Sequence, residues 1–365
     1  MSRLALGFNA RISFRTGDDE QGLRDGIALF EAAEDLGFDT GWVYQRHFDN
    51  YLANPLTFLA AVGQHTSRIS LGTAVIAMRY ENPILLAEAA ATADLLTGRR
   101  LKLAISTGTG DFDSVFGAPV DDARAEAQRR LARFLAAIRG EVVGYSDATA
   151  GGDGGEPLRV RPHSDTLIDR IYYGSTTVDA AERTARQQLN LLLGTIISET
   201  RGLDFAEYHA LMIDHYRQTV PQPARARIGV SRSVLPATTP ESARRYREYD
   251  EQRRREGPGA SRPAGALAPR ALPDGFAMCP VYHGDPARVV DDLLADRAVA
   301  AADELVLFLP PEFTVSENIR LLTDVVDKVA PHLGWRPQSS NRPLTKGDHD
   351  DIHSRGTAHR MAGLA

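Results

Sequence analysis

The chain has 365 residues, longer than the usual single domain but within what one barrel with insertions occupies. With 43% hydrophobic and 25% charged residues it reads as an ordinary globular protein, which excludes a disordered or fibrous chain. A net charge of −6 and a pI near 6.0 give no general attraction to nucleic acid or to an anionic membrane, so the expected partners are small molecules.

The opening residues, Met1 to Asn9, read as a short strand without the apolar region of a signal peptide. No later apolar run reaches membrane-spanning length, so no membrane partner is expected. Cys279 is the only cysteine, which excludes an intrachain disulfide and a cysteine-rich metal cluster and fits a reducing cytoplasm. Cys279 itself, next to a proline, is read as structural.

In chain order, runs rich in β-formers fall at 4–8, 40–44, 69–76, 101–106, 170–174, 189–193, 227–235 and 304–309. They alternate with segments of helical periodicity, the pattern of strand-helix units around a parallel sheet. Asn54-Pro55, Asn82-Pro83, Thr239-Pro240 and Asp285-Pro286 each place a capping side chain before a proline suited to a first helical turn. Leu23, Ile27, Phe30 and Ala33 share one face of the first helix, and Ile319, Leu322, Val325, Val326 and Val329 share one face of the last. Eight strands is the number that closes an α/β (β/α)8 TIM barrel, although a doubly wound open sheet predicts the same alternation. Against a dinucleotide fold, Gly7-Phe8-Asn9-Ala10-Arg11 stands where a G-x-G-x-x-G would follow the first strand.

One domain is expected over 1–336, with insertions after strand four at about 144–160 and after strand seven at about 257–280. The polar tail at 337–365 is expected to be disordered.

Function in such a barrel sits at the C-terminal strand ends. Those ends carry Asn9, Gln45-Arg46-His47, Ala74-Val75-Ile76, Ser106 to Asp111, Gly174 to Thr177, Gly194-Thr195 and Ser231-Arg232-Ser233. Tyr173-Gly174-Ser175-Thr176-Thr177 offers hydroxyls and backbone amides before a helix, which suits either an anion cradle or a helix cap. Ser106-Thr107-Gly108-Thr109-Gly110-Asp111 lacks the Gly-Lys pair of a Walker loop and reads as a flexible active-site loop or a cap. His47 can exchange a proton near neutral pH and Arg46 is a permanent cation, and a structural role suits a lone histidine equally well. Histidines such as His209 and His215 show no ligand spacing or carboxylate partner, so no metal is expected.

Three groups of residues carry a family resemblance. Glu34 to Trp42, then Arg46-His47-Phe48 and Asn54-Pro55, resemble the opening of the bacterial-luciferase-like flavin-dependent monooxygenases. Arg68 to Val75, Asn82-Pro83 and Leu95-Leu96-Thr97-Gly98-Arg99 are similar to the family's third and fourth units, and Gly110 to Gly117 to its fourth loop. The similarity is dense over roughly the first 120 residues and looser around Gly174-Ser175, Asp285-Pro286 and Ala330 to Leu333.

The resemblance implies a (β/α)8 barrel, reduced FMN as cofactor and a homodimer formed through early helices. It places Ala74-Val75 where family members hold a cis peptide beneath the flavin, Ser106 near the flavin ring, and Gly174, Ser175 and Thr176 at the phosphate loop, with Thr107 and Tyr173 as further cofactor-binding candidates beside them. Where the luciferases carry Glu-His-His-Phe, this chain has Gln45-Arg46-His47-Phe48, so Arg46 and not His47 matches their catalytic histidine. Thr107 replaces a phosphate-binding arginine, for which Arg232 is the substitute suggested. The implied activity is oxidation of a small organic substrate by dioxygen through a flavin hydroperoxide, with the flavin reduced by a separate reductase in a two-component system. The alternatives are a deazaflavin-dependent hydride-transfer enzyme on the same barrel and a non-catalytic flavin-binding partner subunit.

Overall fold

The structure, a computed structural model, describes residues 3–14, 18–117, 122–148, 153–257 and 275–337. Eight parallel strands form one ring: β1 (Ala5–Ala10), β2 (Thr40–Val43), β3 (Ser70–Ala77), β4 (Leu101–Ser106), β5 (Ile171–Ser175), β6 (Asn190–Leu193), β7 (Ile228–Pro236) and β8 (Glu304–Phe308). Pairing of β6 with β7 (Leu191 beside Ile228) and of β8 with β1 (Glu304 beside Ala5) closes it, which decides for the barrel and against an open sheet. Strand ends lie within two residues of those read from the sequence.

The helices are α1 (Asp19–Asp35), α2 (Pro55–His65), α3 (Pro83–Leu96), α4 (Ala123–Ile138), α5 (Val178–Arg186), α6 (Phe205–Thr219), α7 (Pro240–Glu256), α8 (Pro286–Ala295), α9 (Arg297–Ala301) and α10 (Val315–Lys328). Asn54, Asn82, Thr239 and Asp285 cap α2, α3, α7 and α8 through side-chain oxygens that accept backbone N–H bonds, each followed by its proline. Such a cap stabilises its helix by about 1 kcal/mol.

The main core lies between strands and helices. A second cluster, Trp42, Ala104, Tyr172, Leu192 and Val306, draws one residue from each of five strands and none from a helix, so it fills the inside of the ring. Glycine makes room for it: a Cβ on Gly72 would stand 2.2 Å from the Trp42 ring. At the N-terminal end of the strands, Lys102 Nζ lies 2.9 Å from Glu304 Oε2 and donates to Thr40 Oγ1 at 2.7 Å. The Trp42 indole N–H donates to Glu304 Oε1 at 2.8 Å. This polar plug fills the N-terminal end of the ring, where Lys102, Tyr172 and Glu304 also line a cavity of about 880 Å³, while ligands of such barrels sit at the opposite, C-terminal mouth.

The insertion after β4 folds as a short antiparallel pair, Gly144–Tyr145 with Pro157–Leu158. After β7 the chain forms α7, whose Tyr246 and Tyr249 pack on Phe313 beyond β8 with ring centres 5.9 Å apart in each case. It then returns as Ala277–Met278, paired with Ile196–Ile197, and Val281–Gly284, beside the end of β7. Most of the expected 257–280 excursion (258–274) and all but the first residue of the 337–365 tail lie outside the described residues. No helix among the described residues is long and apolar enough to cross a membrane.

Candidate active site

Two adjacent residues after β2 do different work. Arg46 Nη1 donates to Asp111 Oδ2 at 3.2 Å, its Nε lies 3.6 Å from Asp49 Oδ2, and its guanidinium covers Phe112 at 5.2 Å. His47 turns instead into an aromatic wall, with Phe116, Tyr80 and Phe48 centred 4.9, 5.9 and 6.1 Å from its ring. Its Nε2 is buried without a hydrogen-bond partner among the described residues. Burial, and then the charge of Arg46, pushes the imidazole below its ordinary value, which keeps it neutral at neutral pH. Gln45 is a brace: Ala77 N–H donates to its Oε1 at 3.2 Å, and its amide donates to the Ala53 carbonyl at 3.1 Å.

The loop after β4 is clamped to the segment after β3. Tyr80 donates its hydroxyl to the Thr109 carbonyl at 2.5 Å and accepts from Phe112 N–H at 3.0 Å. Arg79 pairs with Asp113 at 2.5 Å. Gly108 has φ of 85°, and a Cβ there would stand 2.6 Å from the Ala77 Cβ, so this close approach requires glycine. Ser106 Oγ accepts from Gly108 N–H at 3.2 Å. The Ala74-Val75 peptide is cis, and Val75 reaches across to β5, where a Cβ on Gly174 would stand 3.0 Å from Val75 Cγ1.

At the end of β5 the two readings of the cradle divide among neighbouring residues. Thr177 is the cap of α5, accepting from Ala180 N–H at 3.1 Å. Ser175 is buried and faces Thr184 (Oγ to Oγ1 3.2 Å), so its hydroxyl is engaged on the helix side. Thr176 Oγ1 accepts from Ser198 Oγ at 2.6 Å. Tyr173 and Thr107 share a hydroxyl-hydroxyl bond of 2.9 Å that joins the ends of β4 and β5.

Two cations stand near the end of β5: Arg183 of α5 and, within its electrostatic reach, Arg124 of α4. Among the described residues neither forms an ion pair or a side-chain hydrogen bond. Arg183 lies within electrostatic reach of Tyr173, and burial followed by the charge of Arg124 lowers its pKa. Sequence reasoning passed over both; an arginine one turn into the helix after the cradle was the available signal for Arg183.

Arg232 is placed elsewhere. A Cβ on Gly229 would stand 2.9 Å from Leu192 Cδ1, inside the ring, so strand alternation turns Arg232 outward to the helices. There it is fully buried, donating from Nε to Asp296 Oδ2 at 2.7 Å and from Nη2 to Asp296 Oδ1 at 3.2 Å, with His209 Nδ1 3.1 Å from Nη1. His215 does have a carboxylate partner, Glu182 Oε1 at 2.9 Å. No group of metal ligands forms among the described residues.

Among the described residues the mouth thus combines hydroxyls and guanidinium groups without ion pairs on the β4–β5 side with buried polar atoms that lack partners, His47 Nε2, Asn9 Oδ1 and Arg11 Nε. Buried polar atoms are rarely left unpaired in a folded protein, so this set fits a ligand with polar ring atoms and a phosphate.

A family model for luciferase-like monooxygenases matches residues 5–304. The chain is 30% identical over 125 residues to 4-hydroxyprotoasukamycin monooxygenase of Streptomyces nodosus subsp. asukaensis, covering 34% of this chain and 33% of that one. It is 34% identical over 104 residues to an F420-dependent glucose-6-phosphate dehydrogenase of Kribbella flavida, covering 27% and 31%. The matched part thus spans about a third of the length of these curated relatives. In fold it is similar to the oxygenating constituent of 3,6-diketocamphane monooxygenase of Pseudomonas putida, solved in complex with FMN (TM-score 0.67, 16% identity, 91% and 99% coverage). The chain belongs to the luciferase-like monooxygenase family.

Proposed function

We propose that this protein is an FMN-dependent monooxygenase that takes reduced flavin from a separate reductase and oxidises a small organic substrate with dioxygen. The observation that carries this reading is His47: a neutral imidazole with an unpartnered Nε2, walled by aromatic rings and facing a mouth with a phosphate-type cradle on its β4–β5 side. Such a mouth sets a proton acceptor beside an apolar rim whose exposed rings, Phe48 and Phe116, a bound cofactor and substrate would cover and close to water.

Reduced FMN, when bound, supplies two electrons and activates dioxygen for transfer of one oxygen atom. Arg124, Arg183 and the hydroxyls of Thr107, Tyr173 and Thr176 hold its phosphate in this reading, and Gly174 and Ser175 shape the turn. Ala74, Val75 and Ser106 line the place of its ring. His47 accepts a proton at Nε2. Arg46 acts through Asp111, closing the loop after β4 so that Phe112 and Phe116 exclude water. Exposed Leu85 and Leu96 on α3 support a homodimer formed through the early helices.

A second reading, deazaflavin-dependent hydride transfer, is favoured by the match to the F420-dependent dehydrogenase. Steady-state assays with reduced FMN and reduced deazaflavin, following dioxygen uptake, separate the two. Uptake coupled to substrate oxidation with FMN alone supports the proposal, and oxygen-independent turnover with deazaflavin overturns it.

A further inference from the structure

Several buried or partly buried cations in this fold come with carboxylates, Arg232 with Asp296, Lys102 with Glu304 and Arg79 with Asp113, and Arg100, without one among the described residues, is held by backbone carbonyls. Two arginines at the mouth break that pattern. Arg253, on α7, is 6% exposed, and its side chain makes one hydrogen bond among the described residues, from Nη1 to Ser233 Oγ at 2.7 Å. Arg11, just beyond β1, has a buried Nε with no partner, and neither arginine forms an ion pair among the described residues. Both guanidinium groups lie over the same ring, with Cζ of Arg11 5.2 Å and Cζ of Arg253 5.7 Å from the centre of Phe308, the last residue of β8. Arg11 also stacks on Tyr44 at 4.5 Å.

Ring faces attract a guanidinium but do not neutralise it, so the buried charge of Arg253 is costly unless a ligand brings a counter-charge, and the partly buried Arg11, with its Nε enclosed, stands beside it open to the same ligand. β8 and β1 stand half-way round the ring from β4 and β5, so these two charges oppose the phosphate cradle and do not belong to it. We propose that Arg11 and Arg253 bind the anionic group of the substrate, which is therefore an organic anion: a carboxylate or sulfonate on an apolar body. The planar fork of arginine matches either group, and Phe308, Tyr44 and the aromatic wall around His47 accept the apolar part. This assignment rests on the substrate lying at the mouth as proposed above, but it holds for oxygenation and for hydride transfer alike.

The test is equilibrium binding of benzoate, benzenesulfonate and neutral benzamide to FMN-loaded protein by calorimetry, at low and high salt, with FMN and riboflavin affinities measured separately. The expected result is that at least one anion binds about tenfold or more tighter than benzamide, with the preference shrinking in high salt. Arg11→Gln and Arg253→Gln should each weaken that anion about tenfold or more while leaving the affinity for FMN unchanged. Equal binding of benzamide and both anions would overturn the proposal, as would a variant that binds the anion like the parent. So would loss of FMN with riboflavin retained, because the arginines would then hold the cofactor phosphate. Arg11 is only partly buried, so Arg11→Gln keeps the test decisive if Arg253→Gln fails to fold. Binding is read without turnover, so failure of the monooxygenase reading shows in the oxygen assay and leaves this result intact.

Discussion

Arg46 donates to Asp111 across the mouth at 3.2 Å while its neighbour His47 leaves Nε2 unpartnered inside an aromatic wall. The arginine's charge adds to burial in holding the imidazole below the ordinary histidine value of 6.5. If His47 acts as a base, kcat/KM rises as the imidazole loses its proton, with an acidic limb below 6.5. Removing the neighbouring positive charge favours protonation, so Arg46→Met should move that limb upward. A pH profile of kcat/KM for the two proteins checks this, and a limb that stays in place rules out His47 as the titrating group.

His47→Gln keeps a polar side chain of similar reach and removes the titrating ring. Loss of a general base typically costs 10²–10⁴-fold, so kcat should fall by about that factor while FMN affinity stays the same. Parallel loss of flavin binding would mean that His47 holds the cofactor.

Arg124 and Arg183 are assigned to a phosphate, and riboflavin lacks one. Arg183→Gln and Arg124→Gln should therefore weaken FMN about tenfold or more each and leave riboflavin binding alone, as fluorescence titration would show. Equal effects on both flavins would remove the phosphate assignment.

Arg232 was the substitute phosphate ligand suggested by its position in the sequence, yet its guanidinium holds Asp296 in the helical layer. Arg232→Met should destabilise the fold by about 3–5 kcal/mol through the unpaired Asp296, read as a shift in the urea midpoint, with unchanged FMN affinity in the folded protein. A variant of normal stability with lost FMN binding would restore the ligand role.

Lys102 and Glu304 plug the barrel floor at 2.9 Å. Lys102→Met leaves the Glu304 carboxylate with Trp42 as its remaining neutral donor and should cost about 3–5 kcal/mol. Replacing both, as Lys102→Met with Glu304→Leu, should cost less than either alone. Additive losses in the double-mutant cycle would show that the pair is not coupled.

Strands were legible because each is a short run of apolar β-formers bounded by turn residues, and the Asn-Pro and Asp-Pro pairs marked helix starts by local chemistry alone. Closure was not local: Leu191 meets Ile228 and Glu304 meets Ala5 only in the folded ring. The mouth residues followed from strand ends, so His47, Ser106 and Tyr173 could be named. Charge partners could not, since Arg46 and Asp111 are 65 residues apart and Arg232 and Asp296 are 64 apart. Equally hidden was what lacks a partner among the described residues: a hydrogen bond for His47 Nε2, and an ion pair for Arg11, Arg124, Arg183 and Arg253. The facing of Arg232 depended on strand register, which one residue of slip inverts.

The most direct test of the central claim is an anaerobic titration of the purified protein with reduced FMN, followed by admission of dioxygen while flavin absorbance is recorded. The account predicts saturable binding and a return of oxidised flavin that is slower than for free reduced FMN under the same oxygen. Absence of binding, or reoxidation at the free rate together with tight binding of reduced deazaflavin, would contradict it.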